Sequence, residues 1–113
     1  MYKRQEGAGL GPEAVLAGEL DLQEFAAVVA AASVVVTVDT GAAHLASAYH
    51  VPSVVLFGPA PPEEWGPPAS GPHEVLTDAS VRRGDVFAED PDPAILAVTP
   101  ADVLAAVQRV TAP

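Results

Sequence analysis

The chain has 113 residues, half of them hydrophobic but only 5% aromatic, and a formal net charge of −10. Its only basic side chains are Lys3, Arg4, Arg82, Arg83 and Arg109; that leaves no basic stripe for nucleic acid and little attraction to an anionic membrane. The absence of cysteine excludes disulfides, thiolate metal sites and thiol catalysis; no apolar run reaches the ~18–20 residues a bilayer span needs and no signal-peptide pattern is present, so the cytoplasm is the expected compartment.

In chain order, Met1–Gln5 ("MYKRQ") looks foreign to the rest of the chain and resembles the translated end of a sequencing adapter. It is set apart from residues 6–113, which on that expectation are an N-terminally truncated part of a larger protein. Residues 14–17 ("AVLA") suggest a short strand. "DLQEFAAVVAAA" predicts a helix, with Asp21 as N-cap, Glu24 completing a capping box, and Leu22, Phe25, Ala26 and Val29 on one apolar face. Val34–Val38 is a β-branched run without polar alternation, which suits a strand buried on both faces of a parallel sheet. "GAAHLASAY" predicts a short helix and Ser53–Phe57 a second buried strand, so the three form a βαβ unit. Gly58–Pro72 is a Pro-rich loop in which neither helix nor central strand is expected. His73–Leu76 reads as a last short strand, residues 77–93 as irregular, and the acidic 85–92 stretch as solvated surface. "TPADVLAAVQRV" closes the chain as a helix capped by Thr99, with Pro100 at its first position and Val103, Leu104, Val107 and Val110 on its apolar face.

The chemistry concentrates where the first Val run stops, at Asp39, Thr40, Gly41 and His44. If these residues turn a parallel strand into a helix, the free N–H groups of Thr40, Gly41 and Ala42 form a phosphate cradle at the carboxyl end of the strand. Asp39 could then accept hydrogen bonds from sugar hydroxyls, and His44, one turn on, could reach the same mouth. A second reading takes Asp39-Thr40-Gly41 as the catalytic stretch of a retroviral-type aspartic protease, in which two such aspartates share a proton. The Ala-rich helix former after it argues against that reading. A third treats the residues as an N-cap and packing. A metal site from Asp39, His44 and His50 is weaker, because the two histidines point to different helix faces.

The longer stretch "VDTGAAHLASAYHVPSVVLFGPAPPEEWGPP" resembles the signature region of glycosyltransferase family 9, the heptosyltransferases. Asp39, Thr40, Gly41, His44, Leu45, Ala46, Ala48, Pro52, the Phe57-Gly58-Pro59 step and Trp65-Gly66-Pro67 match the family pattern in order, and the similarity extends over roughly residues 14–111. The resemblance implies an α/β fold, a Rossmann-like parallel sheet with flanking helices that is the partial C-terminal, donor-binding domain of a GT-B glycosyltransferase. It implies transfer of a sugar from a nucleotide-diphosphate donor of the ADP-heptose type to a glycan or glycolipid acceptor. No cofactor or metal is implied, and peripheral association with the inner membrane face is. On it, Thr40, Gly41 and Ala42 hold the donor pyrophosphate, Asp39 the sugar hydroxyls and His44 the phosphate side, while Gly58 and Pro59 line the cleft. Trp65 is expected to pack its loop against the domain, with Glu63 and Glu64 solvated. The catalytic base is expected in the other half of the enzyme, and the family's phosphate-pairing basic residue upstream of this chain. His50 departs from the pattern, standing where the family usually ends a helix with Gly, and the cysteines many members carry after Trp-Gly-Pro are absent. A free-standing nucleotide-binding or interaction module is the alternative from another class.

Overall fold

A computed structural model describes residues 9–16 and 18–113; the adapter-like Met1–Gln5 lies outside them. Strands β1 (Val35–Val38), β2 (Ser53–Leu56) and β3 (His73–Leu76) form a parallel sheet in the order β1-β2-β3. Five helices accompany it among the described residues: α1 (Leu22–Ala31), α2 (Gly41–Ala48), the single-turn α3 (Pro62–Trp65) and α4 (Pro93–Leu96), and α5 (Pro100–Thr111). Helix α2 makes the crossover between β1 and β2 and packs on both, and α5 packs on β2 and β3. This is the expected α/β architecture, a parallel sheet with flanking helices.

Central position explains the burial of β2. Ser53, Val54 and Val55 are all fully buried; successive side chains point to opposite faces, so both faces of this strand are covered. Val55 and Phe57 pack with Ala43 of α2, and Ala46 of α2 packs with Val29 and Val51. β1, expected to be buried on both faces, is not. It is an edge strand in this sheet, and α5 covers β2 and β3 rather than β1, so Val36 and Val38 are 47% and 46% exposed.

Both long helices begin as their sequences predict. Asp21 accepts from the Glu24 N–H at 2.8 Å while Glu24 accepts from the Asp21 N–H at 3.1 Å. Thr99 caps α5 by accepting from the Asp102 N–H at 3.1 Å, and the Thr99 N–H donates back to Asp102 at 2.9 Å. Their apolar faces are less covered than expected. On α1 only Val29 is buried, where it packs with Ala46 of α2, whereas Leu22 in the first turn is 79% exposed. On α5 it is Ala106 that is buried and Leu104 that faces outward.

Two further expectations are corrected. Residues 14–16 are not a strand: Pro12 starts a 3₁₀ turn through Ala14, and Val15, though extended, pairs with no strand; Ala17 lies outside the described residues. The Pro-rich loop does contain helix, since proline is excluded from helix interiors but fits the first turn. Pro62 opens α3, and the Gly66 N–H donates to the Pro62 carbonyl at 2.8 Å to close it. A Cβ at Gly66 would lie 2.5 Å from that carbonyl oxygen, so only glycine fits. Trp65 does not pack the loop down as expected but is 56% exposed.

Helix α2 ends at the departure noted above. His50 adopts φ 56°, its N–H donates to the Ser47 carbonyl at 3.2 Å, and the Val51 N–H donates to the Ala46 carbonyl at 2.9 Å. These bonds make a Schellman stop, whose left-handed residue is usually glycine. His50→Gly is expected to raise stability by about 0.5–1 kcal/mol, the left-handed strain of a side chain less the added unfolded-chain entropy of glycine. Urea-unfolding midpoints would measure it.

At the amino end of the sheet, the fully buried Ser53 hydroxyl pairs with His73 Nδ1 at 2.7 Å across β2 and β3. His73 Nε2 is buried without a partner among the described residues. Burial, and secondarily the charge of His50, hold the His73 pKa below its ordinary 6.5. The unfolded chain therefore takes up a proton that the folded chain resists. This contribution to stability is expected in full above about pH 6.5 and is lost as pH falls below it. Urea midpoints between pH 7.5 and 5 would show the decline, and His73→Gln would flatten it.

Candidate functional site

The carboxyl ends of β1 and β2 carry the residues singled out above. Asp39 comes directly after β1 and is half-buried; Thr40 is the N-cap residue of α2 and Gly41 its first residue, both exposed. Ala42 is half-buried in the first turn, and His44 is exposed one turn in. Thr40 is a residue type that normally caps, yet its hydroxyl makes no cap here. It turns back to the Val38 carbonyl at 3.4 Å and to the Thr37 hydroxyl at 3.2 Å. The first N–H groups of α2 are thus left without a side-chain acceptor at an exposed helix start, with the partial positive charge of the helix behind them. A Cβ built on Gly41 meets nothing within 4 Å. Nothing in the chain's own packing requires glycine at that position.

Beside the helix start lies a groove of about 470 Å³, lined from β1 by Val38 and Asp39, from the end of β2 by Leu56, Gly58 and Pro59, and on its far side by the 85–92 segment. The expected residues fall into two groups. Thr40, Gly41, Ala42 and His44 surround the helix start; Gly58 and Pro59 share the groove with Asp39, which joins the two.

The far wall is held by side-chain contacts of Asp92 and Arg82. The acidic stretch was expected to be solvated throughout, but Asp92 is 2% exposed. Its carboxylate accepts from the backbone N–H groups of Arg83 (3.2 Å to each oxygen), Gly84 (2.9 Å) and Ala94 (3.0 Å). Burial alone would raise the Asp92 pKa, but these bonds together with the nearby Arg83 charge hold it below the ordinary carboxylate value. The signal was present in the order Asp92-Pro93-Ala94, an N-cap with proline next to it at the first helical position. Arg82 adds a second tie: its Nε donates to the Gly58 carbonyl at 2.8 Å and its terminal nitrogen to the Thr77 hydroxyl at 2.8 Å. Neither Arg82 nor Thr37 carried a motif that singled it out.

Residues after Gly41 run as helix through Ala48 in a parallel α/β sheet. That removes the aspartic-protease reading, which needs an extended segment there. Among the described residues, no three His, Cys, Asp or Glu side chains group as a metal site, and no helix is long and apolar enough to cross a membrane.

Residues 4–82 match the family described as glycosyltransferase family 9 (heptosyltransferase). The chain is similar to lipopolysaccharide heptosyltransferase 2 of Escherichia coli strain K12, 37% identical over 93 residues that cover 79% of this chain and 26% of the relative. It is similar also to lipopolysaccharide heptosyltransferase 2 of Salmonella typhimurium strain LT2, at 36% identity over the same coverage. The chain thus spans about a quarter of the length of these relatives. No solved structure shows a significant match. On the family match and these relatives together, the chain belongs to glycosyltransferase family 9, the heptosyltransferases.

Proposed function

We propose that this chain is the donor-binding part of a GT-B glycosyltransferase that moves a sugar from a nucleotide diphosphate, of the ADP-heptose type, to a glycan or glycolipid acceptor. The N–H groups of Thr40, Gly41 and Ala42 hold the pyrophosphate. Asp39 accepts from sugar hydroxyls, and His44 supports the phosphate side. As the bond between sugar and diphosphate breaks, negative charge builds on the leaving oxygen, and N–H donors already fixed in place stabilise it without rearranging. The base that activates the acceptor comes from outside these residues. The whole enzyme works in the cytoplasm, at the inner membrane face if its acceptor is lipid-linked, and builds lipopolysaccharide or another envelope glycan.

One observation carries this reading: the α2 start is uncapped and open, and Thr40 spends its hydroxyl elsewhere. Charge supports the assignment of the two regions. The groove carries Asp39, Asp85, Glu89 and Asp90, which suit hydroxyl donors and repel phosphate, whereas the helix start attracts it. The test is equilibrium binding of ADP-heptose to the product of the complete reading frame that carries this chain, and then turnover with a glycolipid acceptor. Asp39→Ala and His44→Ala are each expected to weaken donor binding by about fivefold to tenfold, the worth of one or two lost hydrogen bonds. Unchanged affinity in both would reduce these residues to capping and packing.

A further inference from the structure

Besides Val38 of β1, Leu56 of β2 and Ile95 of α4, the groove is walled by two segments that belong to no strand or helix. One is the Gly58–Pro59 turn after β2; the other is the 85–92 segment before α4. A site on loops is precise only if buried contacts lock the loops. Here two side chains do so. Asp92 gathers the Arg83, Gly84 and Ala94 N–H groups on a carboxylate 2% exposed, and Gly84, at φ 84°, makes the bend that aims its N–H inward. Arg82, from the adjoining position, grips the Gly58 carbonyl and the Thr77 hydroxyl, so it ties the β2 end to the β3 end. The walls also touch: a Cβ on Gly58 would sit 3.5 Å from the Asp92 Cβ and from Ile95 Cγ2.

We propose that Asp92 and Arg82 are positioning residues for the sugar of the donor: they hold the two groove walls at the separation a sugar ring needs, and act on donor affinity without touching the diphosphate. This rests on the donor-binding reading above and adds to it where the sugar lies and what holds its pocket. The diphosphate sits at the α2 start, outside the groove lining; the sugar joined to it enters the groove at Asp39. Val38, Leu56 and Ile95 offer apolar surface to the ring carbons and the carboxylates of the far wall accept from its hydroxyls. The volume, about 470 Å³, is within the range of small-ligand sites.

Asp92→Asn replaces one carboxylate oxygen by an NH₂ group, which then faces a backbone N–H, donor against donor. Arg82→Lys keeps the charge but cannot reach the Gly58 carbonyl and the Thr77 hydroxyl together. Both variants, made in the product of the complete reading frame and checked for folding by circular dichroism, are titrated with ADP-heptose and with ADP alone. The expected result is a loss of about tenfold or more for ADP-heptose, the worth of the sugar hydrogen bonds, with ADP changed by less than about twofold. Parallel losses for the two ligands overturn the inference, since the groove would then hold the nucleoside or the change would be general. No loss for either also overturns it. If Asp92→Asn does not fold, Arg82→Lys decides by the same comparison. A wild-type protein that binds neither ligand removes the donor-binding reading itself, and this inference with it.

Discussion

Gly41→Asp is expected to leave the fold intact, or slightly stabilise it, while weakening the binding of ADP or an ADP-sugar by about two orders of magnitude. The two halves of this result have separate causes. Gly41 is exposed, its φ is not left-handed, and a Cβ there meets nothing. Glycine also lowers helix stability relative to other residues, and an acidic side chain in the first turn interacts favourably with the helix dipole by about 0.3–1 kcal/mol. Stability should therefore stay within about 1 kcal/mol of wild type, on the favourable side. Binding goes the other way. A carboxylate about 4 Å from a phosphate costs about 4 kcal/mol at the effective dielectric of a protein surface, and exposure reduces that to roughly the hundredfold loss stated. Raising the salt to 1 M should shrink the deficit, because part of it is a screened charge effect. Gly41→Ala, which adds bulk without charge, should lose much less. If Gly41→Asp binds ADP within about threefold of wild type, the α2 start is not where the diphosphate sits. A protein destabilised by the change would show instead that glycine is required for packing.

How far the sequence predicts this structure differs from element to element, and the difference tracks the range of the interactions. Helix starts are local. Asp21 with Glu24, and Thr99 with Pro100, name their own positions because a cap bonds only to N–H groups two or three residues on. The strand-to-helix turn at Asp39–Gly41 is local too, as is the left-handed stop at His50. Burial is not local. "VVVTV" and "SVVLF" read almost alike, yet the first lies at the edge of the sheet with alternate side chains half exposed and the second at its centre. A run of valines specifies a strand but not how many faces will be covered, which depends on where α5 packs. The same limit applies to the apolar faces of α1 and α5, where the periodicity identifies the stripe but not which half of it meets a partner. Asp92 escapes notice because an acidic, proline-containing stretch looks solvated by composition; what buries its carboxylate is the return of Arg83 and Gly84 from nine and eight residues back. Arg82 reaches Gly58 across 24 residues, a pairing that no spacing announces. In the site itself, the residues at the helix start are legible and the far wall of the groove is not, for that reason.

Phe57→Ala is expected to be the most destabilising single truncation in the chain, at about 3–5 kcal/mol. The buried hydrophobic set among the described residues is Val29, Ala43, Ala46, Val51, Val54, Val55, Phe57, Ala94 and Ala106. Phe57 is the one large side chain in it, and the rest are valine or alanine. Small neighbours cannot swing into the space a ring leaves, so the cavity term is expected to be near its full value. Against a total stability of about 5–15 kcal/mol for a typical domain, that is roughly a fifth or more, and the shift in thermal midpoint should exceed about 10 °C. The consequence reaches the site because Phe57 packs against Ala43, in the first turn of α2, and continues directly into Gly58 on the groove wall. Under conditions where the variant remains mostly folded, it should therefore lose donor affinity as well as stability. Phe57→Leu, which keeps most of the volume, should lose clearly less of each. A guanidinium or urea midpoint within about 1 kcal/mol of wild type for Phe57→Ala would mean that the core beneath the site does not depend on this ring. Lost stability with unchanged donor affinity would mean instead that the helix start is held by α2's contacts with β1, and that Val35 and Leu45, which pack against the Val29–Ala46–Val51 cluster, are the next positions to truncate.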